Sequence, residues 1–195
     1  MSIPRITEIL ETGVQIAAGT ALLGKVGIDQ VTANANVIAL QTNAGKSTAS
    51  FTRPNDTTAY AAGDVVGTAA ANLTFANVLP NVQNFIITGM TMRIDSAAVP
   101  AGMGGFKVDI YSAANTVIAD NAARNLVAAD RSNFLGTISL ATPVDMGDTL
   151  FSQNDNINFN GKLVTTNLYA VLSTDNIYTP VAETVYTVTI YTIGV

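Results

Sequence analysis

The chain has 195 residues, of which 48% are hydrophobic and only 12% are charged, and its net charge is −5 at pH 7. This length suits one domain with an extension, or at most two small domains. The absence of cysteine and histidine excludes disulfides, thiolate chemistry and any mechanism that uses histidine as a base or metal ligand. The nine Lys and Arg residues are scattered singly, so we expect no direct binding to nucleic acid.

The small share of charged residues leaves Asn, Thr, Ser, Ala and Gly to form much of the surface. Such a surface favours packing against other copies or a partner, although a small Ala-rich monomer would have the same composition. Arg5, Glu8 and Glu11 interrupt the early apolar residues, so no signal peptide is indicated. No apolar run approaches the length of about 18 residues that spans a membrane. We expect synthesis in a host cytoplasm, without export or a membrane anchor.

The N-terminal part predicts an extended arm. Residues 2–41 contain four scattered glycines that interrupt any long helix, and residues 14–37 alternate loosely, as an extended strand would. Residues 42–50 are small and polar and predict a linker. The arm and linker together occupy residues 1–49, and we hypothesise that the arm lies on a neighbouring subunit or partner.

Residues 51–67 mark the start of the folded domain. The two ends of this stretch predict short strands, and residues 53–58 are rich in Pro, Asn, Asp and Thr, which fix turns. Arg53 is the first residue of this turn-rich segment, which we call the corner. We predict that it braces Asp56 or Asp64 within its own loop; the alternative is a pair with an aspartate across a subunit boundary.

Strand patterns recur along the rest of the chain. Residues 85–94 predict the longest central strand, with Ile86 on the same face as Met90 and Met92. Residues 106–111 alternate cleanly, so one face of this strand is apolar and the other meets water or a partner. Further strands are predicted at residues 135–140, 149–153, 162–174 and 183–193, and residues 73–75 are ambiguous.

After the arm, residues 119–134 are the one segment whose pattern suits a helix as well as a strand or loop. Asp120 is positioned to cap one helical turn, and Asp130 is positioned to cap a second short piece. We expect a loop with one or two helical turns that crosses an end of the domain.

About eight strands without alternating helices predict an all-β fold. The fold class is a two-sheet antiparallel β-sandwich over residues 50–195, most simply a jelly roll, with an extended N-terminal arm. An immunoglobulin-like sandwich is the alternative, but its cysteine pair and tryptophan are absent.

Two short motifs resemble ligand sites, and both fail on spacing. Residues 43–48 carry the Gly-Lys-Ser of a phosphate loop, but Leu40 stands where the leading glycine belongs. Residues 153–161 are rich in oxygen ligands, but they hold a single carboxylate; Asp145 and Asp148 with Asp155 fit exposed turns better than an ion site. We therefore predict no catalytic, cofactor-binding or metal-binding residues and no cofactor.

Three segments in and around the corner resemble a known domain: Phe-Thr-Arg-Pro from Phe51, Asp-Thr-Thr-Ala-Tyr from Asp56, and Gly-Asp-Val-Val from Gly63. In this order they resemble the opening of a β-sandwich in virion proteins of tailed bacteriophages, including capsid cement or decoration proteins and fibre components. Residues 23–29 resemble a short repeat of fibre-like and capsid-accessory chains. Further similar segments lie at residues 119–122, 129–131, 134–136 and 178–180. The resemblance implies a virion structural role and no catalytic residues.

We predict a non-enzymatic cement protein on the capsid exterior that binds across neighbouring major capsid subunits. Self-association as a dimer or trimer is expected, because closed symmetry is the common use of one adhesive face. The first alternative is a tail, baseplate or fibre-tip module that binds a host surface receptor, which the repeat at residues 23–29 favours. The second alternative is an enzyme domain acting on cell-wall polysaccharide. It fits poorly, because the chain has no tryptophan to form a sugar platform.

Overall fold

The computed structural model describes residues 43–68 and 72–195. The predicted arm, its hypothesised contact with a neighbour and the repeat at residues 23–29 lie outside the described residues. The described residues form ten β-strands and one 3₁₀ turn at Ala128–Asp130. The strands are β1 (Ala44–Thr52), β2 (Leu73–Phe75), β3 (Asn84–Ile94), β4 (Phe106–Tyr111), β5 (Phe134–Leu140), β6 (Val144–Asp145), β7 (Leu150–Asn154), β8 (Phe159–Lys162), β9 (Leu168–Thr174) and β10 (Val185–Gly194).

The strands form two antiparallel sheets. The six-stranded sheet has the order β1-β10-β3-β7-β6, with β8 also paired to β3, and the four-stranded sheet has the order β2-β9-β4-β5. Apart from the short β6 and β8, the first strand pairs with the last, the second with the seventh, the third with the sixth and the fourth with the fifth. This pairing is that of a jelly roll, so the predicted all-β sandwich is confirmed.

The inward faces of the two sheets enclose one main apolar core. Phe106 and Val188 are among its fully buried residues, which come from both sheets. Aromatic rings fill one end of this core: Phe51 stacks on Tyr186 at 5.3 Å between ring centroids, and the edge of Phe106 meets Tyr178 at 6.3 Å. Offset and edge contacts of this kind add to the stabilisation that burial itself supplies.

A β-bulge in β3 changes the predicted faces of that strand. The extent of the strand was predicted correctly, but Thr88 is an extra residue opposite the step from Tyr191 to Thr192 in β10. Ile87 is therefore fully buried, whereas Ile86 is only partly buried. The prediction that Ile86 shares a face with Met90 was wrong, because one inserted residue reverses the alternation on one side of the bulge.

The outer face of β4 is covered by the chain itself. Asp109 and Tyr111 are buried on that side, beneath the segment of residues 112–133 that follows β4. Arg124 of this segment binds Asp109, and Thr137 donates to the same carboxylate at 2.6 Å. The prediction that this face meets water or a partner was therefore wrong for Asp109 and Tyr111.

Three other local predictions were wrong. Most of the linker predicted over residues 42–50 is strand β1, which pairs with β10 along its whole length, so the sandwich begins before residue 50. The strand predicted at the end of residues 51–67 is reduced to isolated bridges at Tyr60, Asp64 and Val65. Residues 162–174 hold the end of β8 and the whole of β9, with a turn between them.

Candidate functional site

Four loops meet at one end of the sandwich and form a continuous surface. Strand register brings them together, because Phe106 of β4 lies between Leu140 of β5 and Thr174 of β9. Ile94 of β3 likewise lies beside Tyr186 of β10. The loops that leave these strand ends are residues 53–59, 95–105, 141–149 and 175–184. We call this surface the loop face.

The loop face has an apolar, concave centre. A depression of about 660 Å³ lies between the loop that follows β3 and the loop that precedes β10. Its lining is largely apolar and includes Ala97, Ala98, Val99, Pro100, Ala101 and Val181. Two large apolar side chains are exposed on the loop before β10, Ile177 at 67% and Val181 at 55%. Exposed apolar groups clustered around a concave surface are typical of a protein contact site.

Asp95 borders this apolar centre, and further carboxylates lie on the other loops of the loop face. Asp95, Asp145, Asp148 and Glu183 are all exposed on the loop face. The only Lys or Arg in the four loops is Arg53, whose side chain is fully buried. The loop face is therefore an apolar patch with an acidic rim, which suits a partner whose own patch carries basic side chains at its edge.

A buried ion pair holds the loops beneath this surface. Arg53 donates to Asp120 at 2.9 Å, and the two side chains are only 0% and 5% exposed. The Nε atom of Arg53 also donates to the hydroxyl of Tyr60, which in turn donates to Asp120 at 2.6 Å. Two further donations, to the backbone oxygens of Asp56 and Val181, tie Arg53 to its own loop and to the loop that precedes β10.

The protonation states of this network follow from its burial. Burial, together with the hydrogen bond to Asp120 and the charge of that residue, raises the pKa of Tyr60 above its ordinary value. Tyr60 therefore remains a neutral donor to Asp120. For Arg53, burial opposes the charge, but its interactions with Tyr60 and Asp120, which include the hydrogen bonds to both side chains, outweigh burial and raise the pKa of the guanidinium.

The prediction that Arg53 pairs with Asp56 or Asp64 was wrong. Arg53 contacts the backbone of Asp56 but not its carboxylate, and Asp64 accepts from the backbone nitrogen of Ala61 instead. The carboxylate partner is Asp120, 67 residues away along the chain. Asp120 was predicted to cap a helical turn, and the pattern around it carries no sign of the long-range ion pair.

Glycines let two of the loops approach closely. A Cβ atom on Gly102 would lie 2.5 Å from the backbone oxygen of Ile177, and Gly102 also has a φ of +85°. A Cβ atom on Gly105 would lie 2.6 Å from the backbone oxygen of Leu140. Side chains at these positions would separate the loops, so the glycines help to fix the shape of the loop face.

A second surface is the outward side of the six-stranded sheet, which we call the open face. It contains a depression of about 430 Å³ lined by Lys46, Thr91, Arg93, Phe151, Gln153, Asp155, Thr189 and Tyr191. These residues belong to β1, β10, β3 and β7 or follow β7 directly, so their side chains share one face of the sheet. Unlike the loop face, the open face is mainly polar.

The two resemblances to ligand motifs take ordinary structural forms. Gly45 and Lys46 of the phosphate-loop pattern lie in strand β1 rather than in a loop before a helix. In the calcium-loop pattern, Asp155 accepts from Gln153 within its own turn. No group of three or more acidic residues in the described part of the chain is arranged to hold a metal ion.

Within residues 43–68 and 72–195, no helix is long and apolar enough to cross a membrane.

The fold and its surfaces define a jelly-roll β-sandwich with an apolar loop face and a polar open face. The chain matches no protein-family model, and no curated protein matches it by sequence. A solved structure from sacbrood virus of honeybee is similar at 8% identity over 93% of this chain and 78% of that one, with a TM-score of 0.28. An identity and a TM-score this low support no conclusion about function.

Proposed function

We propose that this chain is a non-enzymatic structural protein of a virus particle, and specifically a cement protein of a tailed-bacteriophage capsid. It would bind outside the shell, across neighbouring major capsid subunits. The resemblance of residues 51–67 to such proteins supports this proposal, as does the jelly-roll topology, which recurs in viral capsid domains. The observation that carries it is the loop face, because its apolar centre and acidic rim have the layout of a protein interface.

The proposed mechanism is mechanical. A shell under internal pressure fails where adjacent subunits separate. A rigid sandwich that buries an apolar patch across such a seam raises the free energy needed for separation, and many repeated copies multiply the effect. The buried Arg53–Asp120 pair suits this role, because it holds the loops in place before binding and reduces the entropy lost on docking.

Copy number tests the position on the particle. Quantitative mass spectrometry of purified particles would compare this chain with the major capsid protein. A cement protein is expected at on the order of hundreds of copies, in a ratio that matches the capsid symmetry. A few copies, in a multiple of a tail symmetry, would contradict the cement role.

Variants of the loop face test the surface itself. Ile177→Asp and Val181→Asp replace the two large apolar side chains exposed on the loop before β10 with charged ones, and we expect both to abolish binding of the purified protein to particles that lack it. Val164→Asp is the matched control, because Val164 is 61% exposed but lies in the turn between β8 and β9, outside the loop face. Equal binding by all three folded variants would show that the loop face is not the contact surface.

Self-association belongs to the same proposal. A dimer or trimer would place several loop faces on one assembly and increase the number of subunits that it bridges. Sedimentation velocity of the full chain measures this state. A monomer at all accessible concentrations would remove self-association from the mechanism and leave single-copy bridging.

The second candidate is a tail, baseplate or fibre-tip module that binds a host surface receptor. The open face favours this candidate, because a polar depression on a sheet is better suited to bind a receptor ligand than to pack against a capsid seam. Low copy number together with binding to host cells would establish this candidate in place of the cement role.

A further inference from the structure

We propose that the open face is a binding site for an acidic saccharide, a sugar chain that carries carboxylate groups. The inference names the ligand class of the surface on which the second candidate function depends. It uses a different surface from the loop face and does not require the capsid role.

Three threonines on adjacent strands form a row across the open face at the depression. Thr189 of β10 pairs in register with Thr91 of β3 on one side and with Thr48 of β1 on the other. The Thr48 and Thr189 hydroxyls lie 3.0 Å apart and share a hydrogen bond. Thr189 is only 5% exposed, so the more exposed hydroxyls of Thr48 and Thr91 are the ones that can donate to and accept from the hydroxyl groups of a sugar.

Gly89 fixes the position of two residues that line the depression, Tyr191 and Asp155. It lies opposite Tyr191 in the next row of the sheet, where any other residue would place a side chain beside the tyrosine ring. A Cβ atom there would lie 3.5 Å from the ring and 3.8 Å from the carboxylate of Asp155, so a larger side chain would fill the space between them. Gly89 is itself buried, so the absence of a side chain lets the Tyr191 ring and the Asp155 carboxylate lie close to the sheet where they line the depression.

Aromatic rings stand at opposite corners of the site. Tyr191 is 38% exposed, and Phe151 is partly exposed on the far side of Arg93. Tyr191 and Arg93 lie on adjacent strands and are four residues apart in register, or about 14 Å along the strand direction. Exposed aromatic rings bind the apolar faces of sugar rings, and this separation suits a chain of sugars rather than a single ring.

The charges of the site favour an acidic ligand. Arg93 is exposed and makes no ion pair within the described residues, whereas Arg53, Lys107 and Arg124 each pair with an aspartate. Lys46 lies 6.0 Å from the centre of the Tyr191 ring and is also without an ion pair in the described part of the chain. These two cations occupy one surface of a chain whose net charge is −5.

The one carboxylate of the site leaves a place for an anion. Asp155 accepts from Gln153 at 2.8 Å and lies beside Gly89, in the row opposite Tyr191 rather than in the row of Arg93. A ligand carboxylate is therefore expected at Arg93, where a guanidinium can form two parallel hydrogen bonds. Sugar hydroxyls are expected near Asp155, which can accept from them.

A second copy of the chain fits this surface less well. Two open faces pressed together would bring two depressions opposite each other and leave polar groups facing an enclosed gap. An apolar protein surface would bury the charges of Lys46 and Arg93 without partners, which costs free energy. A hydroxylated anion fills the depression and also satisfies the charges.

The test is NMR titration of the full-length protein with trigalacturonic acid, a sialic acid trimer and a hyaluronan tetrasaccharide, with maltotriose as the neutral comparison. We expect at least one acidic probe to shift the amide signals of Thr91, Thr189 and Tyr191 in a saturable manner. Arg93→Gln should weaken that binding about tenfold, as the loss of a charge-assisted hydrogen bond predicts. Arg131→Gln is the matched control, because it removes an exposed charge in the segment that covers the other sheet.

Several results would overturn the inference. They are the absence of saturation by all three acidic probes up to about 10 mM, equal binding of maltotriose, and unchanged affinity in the folded Arg93→Gln variant. Shifts confined to the loop face would overturn it as well. Each of these results leaves particle binding through Ile177 and Val181 unaffected, so the two proposals fail separately.

Discussion

The buried pair between Arg53 and Asp120 yields the sharpest prediction about stability. In Arg53→Met, the aliphatic stem is largely kept while the charge and all donated hydrogen bonds are lost. Asp120 then remains a buried carboxylate, 5% exposed, with Tyr60 and the backbone of Gly67 as its remaining donors. Breaking one partner of a buried ion pair costs about 3–5 kcal/mol, so we expect Arg53→Met to lose that much free energy of unfolding at pH 7.

Urea denaturation followed by tyrosine fluorescence measures this loss. A cost of this size is a large part of the total stability of about 5–15 kcal/mol that a domain has, so the unfolding midpoint should fall clearly. Lys107→Met is the matched control, because its ion pair with Asp175 is exposed at 43% and 32%. Its expected cost is about 0–1 kcal/mol.

A double variant measures the interaction energy between Arg53 and Asp120, as distinct from the cost of losing either side chain alone. Asp120→Asn keeps an oxygen that accepts from Tyr60 and Gly67 but removes the negative charge. Combined with Arg53→Met, it should cost less than the sum of the two single changes by about 1 kcal/mol or more, because neither charge remains unpaired. Additive costs, or a cost for Arg53→Met as small as that of Lys107→Met, would refute the reasoning.

Two further predictions concern packing and pH. In Gly45→Ala, the new Cβ atom would clash with the backbone oxygen of Val78, so we expect a loss of about 1–3 kcal/mol in urea denaturation. Gly67→Ala meets only Val65 at 3.7 Å and should change stability by no more than about 1 kcal/mol; equal losses would contradict this view. Burial, with the charge of Asp109, raises the pKa of Tyr111 to about 12. Because the neutral phenol is favoured in the fold, its contribution is present below about pH 10 and is lost as the pH rises towards 12. Stability should therefore fall less steeply over this range in Tyr111→Phe than in the original protein, and identical slopes would contradict the assignment.

The strands with strict alternation were predictable from the sequence. Strands β4, β5 and β10 appear close to their predicted bounds, because each places apolar side chains on every second residue of a run rich in β-formers. The jelly-roll class followed from the number of these runs and the absence of alternating helices. These features are local, so the order of residues alone carries them.

Strand β1 shows where local reasoning fails. Its residues are small and polar, and its inward positions include only Ser47 and Ala49 before Phe51. Nothing in such a run distinguishes a strand from a linker. Pairing with β10 along the whole strand supplies the hydrogen bonds that decide the matter, and that partner lies more than a hundred residues further along the chain.

The loop face and the open face were also only partly predictable from the sequence. The order of apolar, charged and glycine residues was enough to predict a sandwich with a weakly charged surface. The folded chain was needed to show that Arg53 meets Asp120, that Thr88 forms a bulge and that Arg93 shares a face with Tyr191. The physical reason is that these contacts depend on strand register and loop closure, which arise only when segments distant in the chain pack together.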